Sequence, residues 1–246
     1  MVVGSYGSGK TEVSVNLALQ AAATGRRVQI ADLDLVNPYF RCREARWLME
    51  EQGIRVVVPP GAQAWADLPI LLPEVLGMLA PPAGTLSLFD VGGDDVGARV
   101  LGSLRGGVGP NGYELWQVIN TQRPFTQDAA GCLAMRDAIE ASSRMRVTGL
   151  VVNAHLMEET TPEVVLRGVE VAREVSRRSG LPVRFVAVME ALAPALRGLD
   201  EPVFAMKRQM LPPWLLPAGE ERLPAGRPVP LGKAHGSRER HGTYRD

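Results

Sequence analysis

The sequence predicts a three-layer α/β fold: a doubly wound, mainly parallel sheet of about seven strands with helices on both faces. Three observations carry this. Short apolar runs recur through residues 1–190, and they are apolar almost throughout rather than alternating, as in strands covered on both sides. Stretches with helical spacing lie between them, and such alternation makes βαβ units. The first strand and the first helix are joined by a glycine-rich loop, residues 4–11. A chain of 246 residues, 46% apolar and 22% charged, suits one large domain of this class.

The elements follow in order. Strands are expected at Met1–Val3, Arg27–Asp32, Ile54–Val58, Leu86–Asp90, Leu115–Asn120, Val147–Asn153 and Val183–Val188. Thr11–Thr24 reads as a helix because Val13, Leu17 and Ala21 share a stripe and Gly25 can end it. Arg43–Gln52 groups Ala45, Leu48 and Met49 before Gly53. Thr126–Arg144 opens on a Thr cap with Asp128 in the first turn. Thr160–Ser179 starts either with a capping box from Thr160 or with a Thr161 cap and Pro162 at the first helical position. Residues 59–84 are rich in Pro and Ala, with Pro73 interrupting a helical run, and read as two short helices. The folded domain is expected to span residues 1–216. Residues 217–246, rich in Gly, Pro, Arg and Glu, read as a disordered tail.

Charge and composition exclude several function classes. Lys plus Arg and Asp plus Glu both number 27, for a net charge of zero. This argues against a generally basic nucleic-acid binder. No run reaches the roughly 18 apolar residues of a membrane span, and no secretory leader precedes the first motif. Two cysteines without metal-ligand spacing, Cys42 and Cys132, fit a cytoplasmic protein with buried thiols. No His- or Cys-rich run is present to carry a metal cargo.

Gly4-Ser5-Tyr6-Gly7-Ser8-Gly9-Lys10-Thr11 matches G-x-x-x-x-G-K-[ST]. The glycines let backbone N–H groups turn inward around phosphate oxygens, and the helix that follows adds its partial positive charge. Lys10 is expected to reach the β- and γ-phosphates, and Thr11 to ligate Mg²⁺. Of the chain's three lysines, only Lys10 lies in the first 206 residues, which makes a chance surface position a poor account of it. The candidate nucleotide-binding set is Gly4, Ser5, Tyr6, Gly7, Ser8, Gly9, Lys10, Thr11, Glu12 and Asn153, with Lys10 also a candidate catalytic residue.

Two carboxylate sites close later strands, where a doubly wound sheet collects its ligands. Asp90 ends an apolar run and precedes Gly92 and Gly93. It suits a magnesium site, directly or through water, and the glycines allow close approach to a γ-phosphate. Asp32 and Asp34 stand two apart, so both would point to one face if the strand continued through them. One could support the metal shell while the other orients the attacking water. The candidate metal set is Thr11, Asp32 and Asp90. Asp94 and Asp95 either extend that site or lie in a solvated loop. His155, the one histidine outside the tail, reads as a surface or capping residue near the nucleotide.

A phosphate loop after strand one, Asp-x-Asp at the end of strand two and a hydrophobic-Asp-x-Gly at strand four resemble the MinD/ParA/CobQ–CobB superfamily of P-loop NTPases. The likeness covers roughly residues 1–190. It implies ATP as the nucleotide, Asp34 as the catalytic residue that positions the hydrolytic water, and Asn153, which follows Leu150-Val151-Val152, as a base-recognising residue. It also implies an ATP-dependent homodimer. The family's partitioning ATPases carry a signature lysine where this chain has Ser5, and Tyr6 replaces a glycine. Arg41, Arg43, Arg99 or Arg123 could supply a substitute cation. Asn37-Pro38-Tyr39-Phe40-Arg41 and Arg123-Pro124-Phe125-Thr126 mark an unusual branch. The expected function is a Mg²⁺-dependent ATPase switch acting on a protein partner. The alternatives are an ATP-dependent amide ligase or carboxylate-activating synthetase, and a nucleotide-binding scaffold without turnover.

Overall fold

A computed structural model of the chain describes residues 1–34, 42–58, 73–93, 95–109 and 112–210. The expected disordered tail lies outside the described residues. So do Asn37–Arg41, Asp94 and most of the Pro/Ala-rich stretch.

The elements run β1 (Val2–Gly4), α1 (Lys10–Ala23), β2 (Arg27–Leu33), α2 (Arg46–Glu51), β3 (Arg55–Val57), α3 (Pro73–Gly77), β4 (Thr85–Val91), α4 (Asp95–Leu104), β5 (Trp116–Ile119), α5 (Ala129–Ser143), β6 (Gly149–Val152), α6 (Pro162–Ser179), β7 (Val183–Met189) and β8 (Val203–Met206). The strands form one sheet in the order β3-β2-β4-β1-β5-β6-β7-β8, every neighbouring pair parallel. The chain leaves β1 toward β2 on one side and returns to β5 on the other. That reversal opens a crevice at the C-terminal end of β1, where doubly wound sheets bind ligands.

The sheet is buried between two helical layers. Leu101 and Leu104 of α4 and Ile139 of α5 pack on Val3, Ala31 and Phe89. Val165, Val169 and Ala172 of α6 extend this layer over Ile119, Val152 and Val186. On the other face, Val15 and Ala18 of α1 and Met49 of α2 cover Ile30, Val56 and Leu88. Val13 packs on Val2, Val118 and Met206.

The expected α/β architecture holds, with three local corrections, at β8, α4 and the start of α5. An eighth strand, β8, extends the sheet beyond β7; it has four residues, and only Met206 of them is buried, so its pattern was faint. Helix α4 was not foreseen, because Gly97 and Gly102 dilute a helical spacing that still buries Val100, Leu101 and Leu104. Of the two short helices expected in the Pro/Ala-rich stretch, the described residues include α3 from Pro73; what precedes Pro73 in that stretch lies outside them. Helix α5 starts at Ala129, not Thr126: the Asp128 side chain caps it by accepting from Gly131 N at 2.8 Å. Of the two starts expected for α6 the structure has the second, with Pro162 the first helical residue behind Thr161; the Thr160 hydroxyl instead closes the preceding turn, donating to Met157 O.

Candidate functional site

The glycine-rich loop sits at the C-terminal end of β1, and its last residues start α1. Gly9 is the N-cap, in the left-handed region with φ 82°. A side chain there would strain the backbone, and its Cβ would lie 2.2 Å from Asn153 Nδ2. Ser5 O ties the loop together, accepting from Ser8 N at 3.2 Å and from Lys10 Nζ at 3.0 Å. Lys10 is thus folded over the loop and buried, while Tyr6 projects outward with 72% of its surface exposed. The hydroxyls of Ser5 and Ser8 are buried without a hydrogen-bond partner.

Asp32 and Asp90 face one another in register across β2 and β4, and both are fully buried. Asp90 Oδ1 accepts from Ser14 Oγ at 3.3 Å, whereas Oδ2 is buried without a partner. Burial, and after it the charge of Asp32, push the Asp90 carboxyl up to about 7; a Thr11 hydrogen bond and the Lys10 charge pull the other way. A carboxylate held this way gains from a cation. Among the described residues no group of three or more His, Cys, Asp or Glu forms a metal cage. The donors present, Asp90, Asp32 and the Thr11 hydroxyl, are hard oxygens few enough for Mg²⁺, which keeps waters and substrate phosphates in its shell.

Asp34 does not continue β2, so the condition under which Asp32 and Asp34 would share one face is not met. The strand ends at Leu33, and Asp34 N donates to Asp32 Oδ1 at 3.1 Å. The short Asp32 side chain offers the backbone a turn in place of further ladder. Asp34 remains buried and lines the same cavity as Lys10 and Thr11. The second residue after β4 packs closely on the loop: a Cβ on Gly93 would stand 2.8 Å from Lys10 Nζ and 2.9 Å from Tyr6 N.

Asn residues at the ends of β5 and β6 support the loop from the other side. Asn153 Nδ2 donates to Ser8 O at 2.8 Å, and the residue is buried. Asn120, which sequence reasoning did not single out, is fully buried; its Oδ1 accepts from Gln122 N and His155 N. His155 is not the surface residue expected. It lines the cavity, and burial, followed by the charges of Arg123 and Arg208, lowers its pKa to about 4. Of the four candidate substitute cations, Arg123 reaches the loop, its Nε donating to Gly7 O at 3.0 Å. Arg99 is exposed on α4, Arg41 lies outside the described residues, and nothing is described of the Arg43 side chain.

From the loop the cavity, of about 910 Å³, runs toward the ends of β7 and β8, where Ala187, Met189, Leu192, Met206 and Met210 line it. Its wall after β8 is tied to α1. Glu12 accepts from Gln209 N at 2.7 Å and from Met210 N at 3.1 Å. Asn16 both donates to Lys207 O and accepts from Lys207 N, each at 2.9 Å. Glu12 therefore faces the 207–210 segment, and its burial raises its pKa. Arg208 ion-pairs with Glu158. An acidic residue one place after a phosphate loop gave no sequence signal for this task, because the groups it holds are backbone amides. Cys42 and Cys132 are buried thiols, as expected. Among the described residues no helix is long and apolar enough to cross a membrane.

No protein-family model matches the chain, and no curated protein matches it in sequence. Solved structures do match in fold. The cell division protein FtsY from Thermotoga maritima is 18% identical, with a TM-score of 0.54 over 76% of this chain and 61% of that one. The signal recognition particle receptor FtsY from Elizabethkingia anophelis, solved with GDP, is also 18% identical, with a TM-score of 0.50 over 76% of this chain and 56% of that one. The chain thus spans about three fifths of the length of these proteins. At that identity the likeness is one of fold, and the fold is that of the α/β P-loop NTPases.

Proposed function

We propose that the chain binds ATP with Mg²⁺ and hydrolyses it, working in the cytoplasm as a nucleotide-controlled switch on a protein partner, in a branch of the MinD/ParA/CobQ–CobB superfamily. One observation carries the reading. Lys10, Thr11 and Asp34 line a cavity sized for a nucleotide, and Lys10 and Thr11 also interact with Asp90 of the buried Asp32–Asp90 pair.

In this reading the loop amides from Gly4 to Thr11 and the N-terminus of α1 hold the phosphates, and Lys10 leaves Ser5 O to contact them. Thr11, Asp32 and Asp90 hold Mg²⁺, which neutralises charge on the phosphates when bound. Asp34 orients the attacking water, a role taken from the family resemblance. Asn153 Oδ1 accepts no hydrogen bond among the described residues. It is the group left to accept from the exocyclic amine of adenine.

The test is light scattering on a gel-filtration column with Mg²⁺-ATP, and with Mg²⁺-GTP in parallel, for wild type and Asp34→Ala. The expected outcome is an ATP-dependent dimer that Asp34→Ala traps, with hydrolysis in the variant down at least about a hundredfold. Binding with no dimer in either protein would sink the switch and direct attention to carboxylate substrates.

A further inference from the structure

The turn between β5 and α5 is built more firmly than a connection needs. Thr126 Oγ1 donates to Asn120 O at 2.8 Å, Arg123 N donates to Asn120 O at 3.2 Å, and Gln122 N donates to Asn120 Oδ1 at 3.0 Å. Asn120 itself is fully buried and binds the backbone of His155 on both sides, through Oδ1 and Nδ2. Phe125 closes the turn at φ 68°, a conformation that costs a bulky residue energy and persists only where its surroundings hold it. The product of this frame is a fixed place for Arg123.

Arg123 is half-buried, lines the cavity beside Gly7, Gly9 and Lys10, and spends Nε on the Gly7 carbonyl. Its terminal nitrogens have no hydrogen-bond or ion-pair partner among the described residues. A partly buried guanidinium without a counter-charge is costly unless something anionic completes it. A planar fork with one edge anchored presents its remaining donors in the geometry that suits phosphate oxygens.

We propose that Arg123 is a phosphate-binding residue supplied from within the same chain: the Gly7 carbonyl holds Nε, and the terminal nitrogens bind the outer phosphates of the nucleotide. This rests on reading the cavity as a nucleotide site. It gives the Arg123-Pro124-Phe125-Thr126 segment a task, with Thr126 and Asn120 as positioning residues.

The experiment measures calorimetric affinities for Mg²⁺-ATP, Mg²⁺-ADP and AMP, single-turnover hydrolysis and melting temperature, for wild type, Arg123→Ala and Arg123→Lys. The expected loss grows with phosphate count: about tenfold or more for ATP, less for ADP and little for AMP. Hydrolysis falls by at least about a hundredfold. Arg123→Lys keeps the charge but cannot anchor and bind at once, so it falls between; it also carries the test should Arg123→Ala not fold. Equal losses for all three nucleotides would reduce Arg123 to a brace on the loop and overturn the proposal. Recovery of hydrolysis on mixing Arg123→Ala with Lys10→Ala would show action across subunits and overturn it too. Unchanged affinities and rates in variants of a nucleotide-binding wild type would end this role alone, whereas a wild type that binds no nucleotide would end the reading of the cavity with it.

Discussion

The two ends of the cavity, which the proposed function reads as a phosphate end and a nucleoside end, are built by different means. At the phosphate end the backbone does the shaping: Gly9 in the left-handed region and Gly93 pressed on the loop leave no room for a Cβ. The polar atoms there are buried and incompletely satisfied, namely the Ser5 and Ser8 hydroxyls and Asp90 Oδ2. At the nucleoside end Ala187, Met189, Leu192, Met206 and Met210 line the wall together with Glu190, Lys207 and Arg208, and side chains of α1 hold it by satisfying backbone groups of residues 207–210. One end holds buried polar atoms without partners, and the other a largely apolar wall whose backbone groups are already paired. In the proposed reading an incoming anion and cation complete the first, while the second rests on hydrogen bonds already made.

The sharpest way to break this contrast is at Gly9. Gly9→Ala must place a Cβ 2.2 Å from Asn153 Nδ2 at φ 82°. Either the loop moves or the Asn153 amide swings aside and gives up its bond to Ser8 O. Nucleotide binding should vanish in calorimetry, and urea unfolding should show a loss of about 2–4 kcal/mol. Binding that survives this substitution would mean that the backbone curvature is not what makes the phosphate site.

The same contrast explains what could be read from the sequence. At the phosphate end, chemistry fixes residue identity: a loop that lets amides converge needs glycine, and a metal needs carboxylates at strand ends. Lys10, Thr11, Asp32, Asp34 and Asp90 therefore stood out, and the structure brings them together. At the nucleoside end, many apolar residues would line the wall equally well, and Met206 and Met210 carry no motif. Strand β8 was missed because its short edge run lacks a buried pattern. Glu12 was placed on the nucleotide only by its neighbours in the loop; its backbone partners lie almost two hundred residues away in the chain. Asp34 shows the limit at the phosphate end as well: whether the strand ran on through it was not legible in the sequence, and a hydrogen bond from its main-chain amide to Asp32 Oδ1 turns the chain there.

A smaller effect is expected at the nucleoside end. Glu12→Ala leaves the amides of Gln209 and Met210 without their acceptor, a loss of about 1–3 kcal/mol for the segment if water cannot replace it. Because Asn16 and Gln20 still hold Lys207 and Ala205, β8 should stay in the sheet. Hydrogen exchange should thus quicken at residues 209 and 210 but not at 203–206, and nucleotide affinity should fall several-fold without being abolished. A loss as complete as that of Gly9→Ala would show the two ends to be one cooperative unit.

The smallest effect lies where the two ends meet. His155 is held near pKa 4 by burial first and by the Arg123 and Arg208 charges next. Its unfolded value is about 6.5. Between those values the unfolded chain binds a proton that the folded chain refuses, so this residue lowers stability as pH falls from about 6.5 toward 4. Above that window it contributes no slope. His155→Gln removes the titration while keeping a polar side chain of similar reach. The difference in unfolding free energy between wild type and variant should therefore shift against the wild type on acidification, by no more than about 3 kcal/mol in total. Bound nucleotide should alter that slope, because phosphate charge beside Arg123 offsets the repulsion that keeps the imidazole neutral. A pH-independent difference would place His155 in contact with water and remove it from the wall that joins the phosphate loop to the nucleoside pocket.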